Sequence, residues 1–187
     1  MDNFTIRIET EKDYRAVEEL TREAFWNVYK PGADEHYYVH MMRSHPDFIP
    51  ELAFVLELGG QLIGNVMYTR SWLLDEQDNR KTILTFGPVS IHPDHQRKGY
   101  GKQLLEHSFA AARELGYDAI VIFGNPDNYV SRGFVSCAKY GISMEEFNKF
   151  LELGFSGMKL SDIYEGQRRY DVVLRGQYQR KQRAAHP

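Results

Sequence analysis

A single cysteine, Cys137, stands among 187 residues. It excludes an intrachain disulfide framework and a cysteine-built metal cluster, and it agrees with a reducing compartment. No apolar run approaches the roughly 20 residues that cross a bilayer. The opening Met-Asp-Asn-Phe-Thr-Ile-Arg lacks the basic and apolar regions of a secretion signal. The expectation is a cytoplasmic chain with no membrane partner. Charge of one sign is also lacking: 23 Lys and Arg face 26 Asp and Glu, a net charge of -3, which argues against a nucleic-acid partner. Metal chemistry has little to build on. His36 and His40 stand i, i+4, but no Glu occupies the second position and no third ligand has a recognisable spacing, so no metal is expected and the pair reads as structural or substrate-lining. What is present is ordinary for a globular chain, 42% hydrophobic and 26% charged residues. That supports one domain with a real core, placed at residues 1–175, followed by a basic, frayed tail at 176–187.

The elements read as follows. Phe4 to Glu9 alternate as a strand, and Thr10 caps a helix to about Phe25 with Tyr14, Val17, Leu20, Ala24 and Phe25 on its apolar side. A second helix fits Glu35 to Ser44, ended by His45-Pro46 and Ile49-Pro50. Leu52 to Leu58 and Leu62 to Leu74 are strand-like and joined by Gly59-Gly60, a tight-hairpin dipeptide. Past the turn at Asp75 to Asn79, Lys81 to Ile91 is expected as one further strand, giving three consecutive antiparallel strands. A helix from Gly99 to Leu115 carries Leu104, Leu105, Phe109, Ala112 and Leu115 on its core stripe, and Gly116 ends it in the left-handed conformation. Ala119 to Phe123 is a short apolar strand, so strand, helix and strand form a β-α-β unit with parallel pairing expected. Ser143-Met144-Glu145-Glu146 reads as a capping box before a helix at Phe147 to Leu153, and Arg169 to Leu174 as a closing strand.

Chemistry concentrates where the β-α-β unit turns. Gly87 to Gly101 runs from a hydrophobic strand into Gln96-Arg97-Lys98-Gly99-Tyr100-Gly101, a cationic, glycine-punctuated turn at a helix start. Missing side chains at Gly99 and Gly101 let backbone approach an anion, the helix dipole points at the same place, and Arg97, Lys98 and Lys102 add positive charge. A P-loop is excluded, because Gln103 follows Lys102 and no upstream glycine has the required spacing. A dinucleotide fingerprint is excluded too, because Leu104 stands where a third glycine or alanine belongs.

Gln96 to Gly101 resembles the pyrophosphate signature of the GNAT family of N-acetyltransferases, Gln/Arg-x-x-Gly-x-Gly/Ala after a strand. Tyr129-Val130-Ser131-Arg132-Gly133-Phe134 is similar to the same family's Tyr-x-x-x-Gly-Phe segment, in the expected order downstream. The resemblance spans Leu52 to about Tyr140 and extends to element order before it. It implies a mixed, mostly antiparallel central sheet flanked by helices, acetyl-coenzyme A (acetyl-CoA) as co-substrate, and direct transfer of the acetyl group to a primary amine in a ternary complex. On that resemblance Val89, Ser90 and Ile91 contact the pantetheine arm, and Gln96, Arg97, Lys98, Gly99, Tyr100, Gly101 and Lys102 the pyrophosphate. Asn125 is a further cofactor contact, with Asn128 as its alternative, and Asn125-Pro126 equally makes a turn. Tyr129 is the general acid for the departing thiolate, since a phenol keeps its proton at neutral pH; as one of 12 tyrosines it can also be a packing aromatic.

The general base stays open among His92, Glu57 and an ordered-water chain, with His92 equally part of a polar turn. A covalent route through Cys137 lacks a His and Asx framework. The aromatic interval Phe25 to Tyr38 would border the acceptor cleft, or serve as a lid over the core. The acceptor itself is unassigned, and a homodimer stays open. The competing function is a noncatalytic acyl-CoA-binding or sensing module on the same fold.

Overall fold

The computed structural model describes residues 3–74, 77, 79–124, 129, 133–137 and 171–176. The expected helix at Phe147 to Leu153 with its capping box, the tail from 177, and Asn125 and Asn128 lie outside these residues. The chain divides into two compact units, Met1–Tyr117 and Asp118–Pro187.

The first unit opens with strand β1, Phe4–Ile8, and helix α1, Tyr14–Phe25, entered through a 3-10 turn at Glu11–Asp13. Helix α2 is Glu35–Met42. Strands β2, Phe54–Leu58, and β3, Gln61–Val66, form a hairpin through Gly59 and Gly60. Both glycines have positive φ, +59° and +83°, the primed geometry that a two-residue hairpin turn requires.

Beyond β3 the structure departs from the sequence reading in one systematic way. The run Leu62 to Leu74 is two strands, β3 and β4 (Tyr68–Leu74), broken at Met67. The run Lys81 to Ile91 is likewise two, β5 (Arg80–Phe86) and β6 (Ser90–Ile91), broken at Gly87-Pro88-Val89 with a cis Gly87–Pro88 bond. The two breaks face each other, the Gly87 N–H reaching the Met67 carbonyl at 3.4 Å. On one side of them β4 and β5 pair antiparallel from Tyr68↔Phe86 to Leu74↔Arg80. On the other side β6 pairs with β3 and ends the sheet β1-β2-β3-β6.

Helices cover both faces of that four-stranded sheet. Val55 packs with Val17 of α1 and Val39 of α2, together with Ala53 and Met67. Its neighbour Phe54 points the other way, edge-on to the His107 ring at 4.9 Å, on helix α3, Tyr100–Glu114. Strand alternation thus assigns α1 and α2 to one face and α3 to the opposite one. Helix α3 buries Leu104, Leu105, Phe109 and Ala112 as expected. Leu115 does not join them: it is 50% exposed, because it is the C-cap and the chain turns away there. Gly116, φ +87°, follows in the left-handed conformation, and the Tyr117 N–H returns to the Ala112 carbonyl at 3.0 Å, a Schellman cap.

In the second unit β7, Ala119–Gly124, pairs antiparallel with β9, Asp171–Gly176, and β9 with β8, Val135–Ser136.

Candidate functional site

The loop from Gln96 to Gly101 ends in the first turn of α3. Arg97 at φ +59° and Gly99 at φ +91° are both left-handed, and such alternating curvature gathers successive N–H groups into an anion-binding concavity. Gly99 is the N-cap and has no side chain to satisfy the helix's first amides. The Lys102 and Gln103 N–H groups both donate to its carbonyl, at 3.0 and 3.2 Å. The amides of Gly99 and Gly101 find no acceptor among the described residues. Orphan amides at a positive dipole end, with exposed Arg97, Lys98 and Lys102 around them, are a donor set that fits a diphosphate.

Two loop residues have other tasks. Gln96 turns its side chain back, Nε2 donating to the Ile91 carbonyl at 3.0 Å. Tyr100 is buried, its ring edge-on to Phe4 and to His95 at 6.0 Å each, and so anchors the helix start.

The adjoining strand presents an open edge. Residues 90 and 92 lie on the bonded side of the β3–β6 ladder, since the His92 N–H donates to Ile63 at 2.8 Å and the register is Asn65↔Ser90, Gly64↔Ile91. Ile91 is therefore the alternate residue whose N–H and C=O point away from β3, along the edge where the sheet ends. Val89, half-buried, precedes it in the break. Ser90 is fully buried and faces α1: its hydroxyl donates to Thr21 Oγ1 at 3.1 Å, and Thr21 donates to Asn65 Oδ1 at 3.3 Å. Asn65 Nδ2, buried, has no partner among the described residues. Gly64 admits the close approach of β6: an added Cβ would stand 2.7 Å from Ile91 Cδ1 and 3.3 Å from the Ser90 carbonyl.

Tyr129 lies in the second unit, half-buried and helical. The Phe134 N–H reaches its carbonyl at 3.3 Å, Gly133 is left-handed at φ +80°, and the Phe134 ring meets the Tyr129 ring edge-on at 5.5 Å. The hydrogen bond and the ring contact tie the two ends of the Tyr-x-x-x-Gly-Phe segment together. Cys137 is fully buried, as a small hydrophobe would be.

Of the base candidates, Glu57 is held by Arg7, accepting from Nη2 at 2.6 Å and Nε at 3.2 Å, on β2, two strands from β6. His92 opens onto a pocket of about 650 Å³ lined by Arg22, Glu23, Trp26, His92, Pro93 and Asp94. Its Nε2 is 3.1 Å from Glu23 Oε2, and its Nδ1 accepts the Asp94 N–H at 3.3 Å. Sequence reasoning included Trp26 in its aromatic interval but missed Glu23, because the contact joins residues 69 positions apart (92 minus 23). His40, on α2, reaches Glu18 of α1 at 3.0 Å, while His36 Nδ1 is buried without a partner among the described residues. Among the described residues no cluster of three or more His, Cys, Asp or Glu could hold a metal, and no helix is long and apolar enough to cross a membrane.

A profile of the acetyltransferase (GNAT) family matches residues 16–138. The L-amino acid N-acyltransferase MnaT of Escherichia coli is 32% identical over 83 residues, 41% of this chain and 48% of that protein, so the match spans about half the relative's length. Among solved structures, a GNAT-family acetyltransferase from Brucella melitensis in complex with acetyl-CoA superposes with TM-score 0.63 at 26% identity, covering 73% of this chain and 85% of the other. The GNAT-family N-acetyltransferase YhbS from Escherichia coli in complex with CoA superposes with TM-score 0.64 at 25% identity, covering 75% and 73%.

Proposed function

The chain belongs to the acetyltransferase (GNAT) family, and on that ground we propose that it transfers an acetyl group from acetyl-CoA to a primary amine by direct attack in a ternary complex. The observation that carries this reading is the pair of orphan amides at Gly99 and Gly101, set at the start of α3 beside the open edge of β6. Complexes of similar structures with acetyl-CoA and CoA support the cofactor class. The resemblance to MnaT supports an acyl acceptor that is an amine.

In this reading the amides and cations from Arg97 to Lys102 hold the pyrophosphate, with Gln96 and Tyr100 shaping the loop rather than touching the ligand by their side chains. The Ile91 main chain and Val89 run beside the pantetheine arm, and an outward N–H there polarises the thioester carbonyl. Ser90 contributes by locking β6 to α1. Asn125 stays a proposed cofactor contact. An ammonium acceptor gives up two protons. The first leaves before attack and passes to solvent. The nitrogen then bonds to the carbonyl carbon, the carbon–sulfur bond breaks, and the second proton leaves the nitrogen for solvent while Tyr129 protonates the thiolate and is reprotonated by water.

The test is thiol release from acetyl-CoA over a panel of amines, with native protein and Tyr129→Phe, alongside CoA binding by calorimetry. Turnover on at least one amine is expected, with kcat lowered on the order of 10²-fold in the variant and CoA affinity unchanged. Tight CoA binding with no turnover on any amine would replace this reading by a sensing module. ATP binding without acetyl-CoA binding would replace it by a phosphotransferase.

A further inference from the structure

A pocket lies between the end of α1 and the end of β6, with Arg22, Glu23 and Trp26 among its lining residues. Its volume, about 650 Å³, is in the range of small-molecule sites. It begins at His92, one residue past Ile91. His92 Nδ1 accepts the Asp94 N–H at 3.3 Å, and Nε2 stands 3.1 Å from Glu23 Oε2. Glu23 is a half-exposed carboxylate beside that ring, and its other oxygen has no partner among the described residues. Asp94 and the His95 ring, 5.8 Å away, are the other titratable groups facing His92. Arg22 is exposed with no ion-pair partner among the described residues. Trp26, 56% exposed, and Pro93 supply apolar surface. An exposed indole beside an exposed carboxylate and a guanidinium with no ion-pair partner among the described residues is a recognition surface rather than a fold requirement.

Resting on the acetyltransferase reading, we propose that this pocket is the acceptor subsite and takes a free amino acid with an apolar side chain. Glu23 receives its ammonium group, Arg22 its carboxylate, and Trp26 with Pro93 its side chain. His92 is a positioning residue that acts through Glu23.

The test titrates L-phenylalanine calorimetrically into CoA-saturated protein and, in parallel, measures thiol release from acetyl-CoA with L-phenylalanine and with phenethylamine, which lacks the carboxylate. Glu23→Gln and Trp26→Ala are each expected to weaken phenylalanine binding, and to raise its KM, about tenfold or more, with acetyl-CoA KM within about twofold of native. Arg22→Gln is expected to erase the preference for phenylalanine over phenethylamine. His92→Leu should behave as Glu23→Gln does, whereas His92→Gln, which keeps an N–H donor at the same reach, should recover to within about threefold of native. A purely structural pair would not split the acceptor and cofactor constants in this way. Native-like phenylalanine binding in both Glu23→Gln and Trp26→Ala overturns the proposal, as does failure of native protein to bind phenylalanine. Binding that is lost in Glu23→Gln, but without turnover by native protein, leaves the pocket standing and removes the acetyltransferase reading.

Discussion

Gly99 holds φ +91°, and none of the described residues comes within 4 Å of where a Cβ would stand. A side chain there would meet no steric neighbour among the described residues, so the effect of Gly99→Ala is argued from backbone preference. An L-residue in that conformation costs about 1 kcal/mol or more, and the loop relieves it by turning its amides away from the anion. Gly99→Ala is therefore expected to lower the melting temperature by about 2–4 °C and to weaken CoA binding about tenfold, read by calorimetric titration; unchanged CoA affinity would separate the loop's conformation from its use. This glycine was legible in the sequence because the requirement is local: a strand, a left-handed turn and a helix start all lie within fifteen residues. Glu23 was not legible. Its meaning comes from His92, which the fold brings to the last turn of α1, and no spacing in the chain announces a contact of that kind.

Elements with local causes were legible as well. Gly59-Gly60 set the β2–β3 hairpin, and Gly116 ended α3 through a cap whose hydrogen bond spans five residues. The breaks at Met67 and Gly87–Val89 were hidden inside runs of uniform strand propensity. They arise because the first half of each run pairs in a different ladder from the second, β3 with β6 but β4 with β5. Pro88, which cannot donate to a ladder, was the one local sign. How α2 is held to α1 and to the end of β1 was equally beyond the sequence. Arg43, at the end of α2, donates to Glu9 at 2.7 and 3.2 Å and to Glu18 at 2.6 Å, and its guanidinium lies 4.1 Å from the centre of the Tyr14 ring. Arg43 and Glu9 are nearly inaccessible, with 7% and 3% of their side chains exposed. Removing the cation alone strands Glu9 in the interior. Arg43→Ala should then cost about 3–5 kcal/mol in urea unfolding, and adding Glu9→Gln should restore part of that loss. A cost below about 1 kcal/mol would place the pair in the surface class.

At the scale of the whole molecule, a carboxylate clasped at the β1–α1 junction gives stability an acid-dependent profile. Arg7 on β1 clasps Asp13 with both terminal nitrogens, at 2.7 and 2.8 Å, and reaches Glu57 on β2, while the Thr10 N–H and hydroxyl also donate to Asp13, at 2.8 and 2.7 Å. The Arg7 hydrogen bonds, with those from Thr10, hold the Asp13 carboxyl well below the usual carboxylate range against the opposing effect of its burial. The same contacts push the guanidinium of Arg7 further up, so it stays charged throughout and adds no pH dependence of its own in acid. The unfolded chain therefore binds more protons at Asp13 than the folded one as pH falls through about 4, the ordinary aspartate value, and stability must rise with pH there. The contribution is complete above about pH 5 and drains away as the folded-state carboxyl is finally protonated. Asp13→Asn keeps the shape and removes the charge. It is expected to cost about 2 kcal/mol at pH 7, and the gap between native protein and variant should narrow steadily as pH is lowered from 5 toward 2. Paired urea titrations at pH 7, 5, 4, 3 and 2 isolate this group, because every other carboxylate titrates in both proteins. A gap that stays constant across the series would mean that Asp13 stabilises the β1–α1 junction by hydrogen bonding that its amide reproduces, with no charge in it.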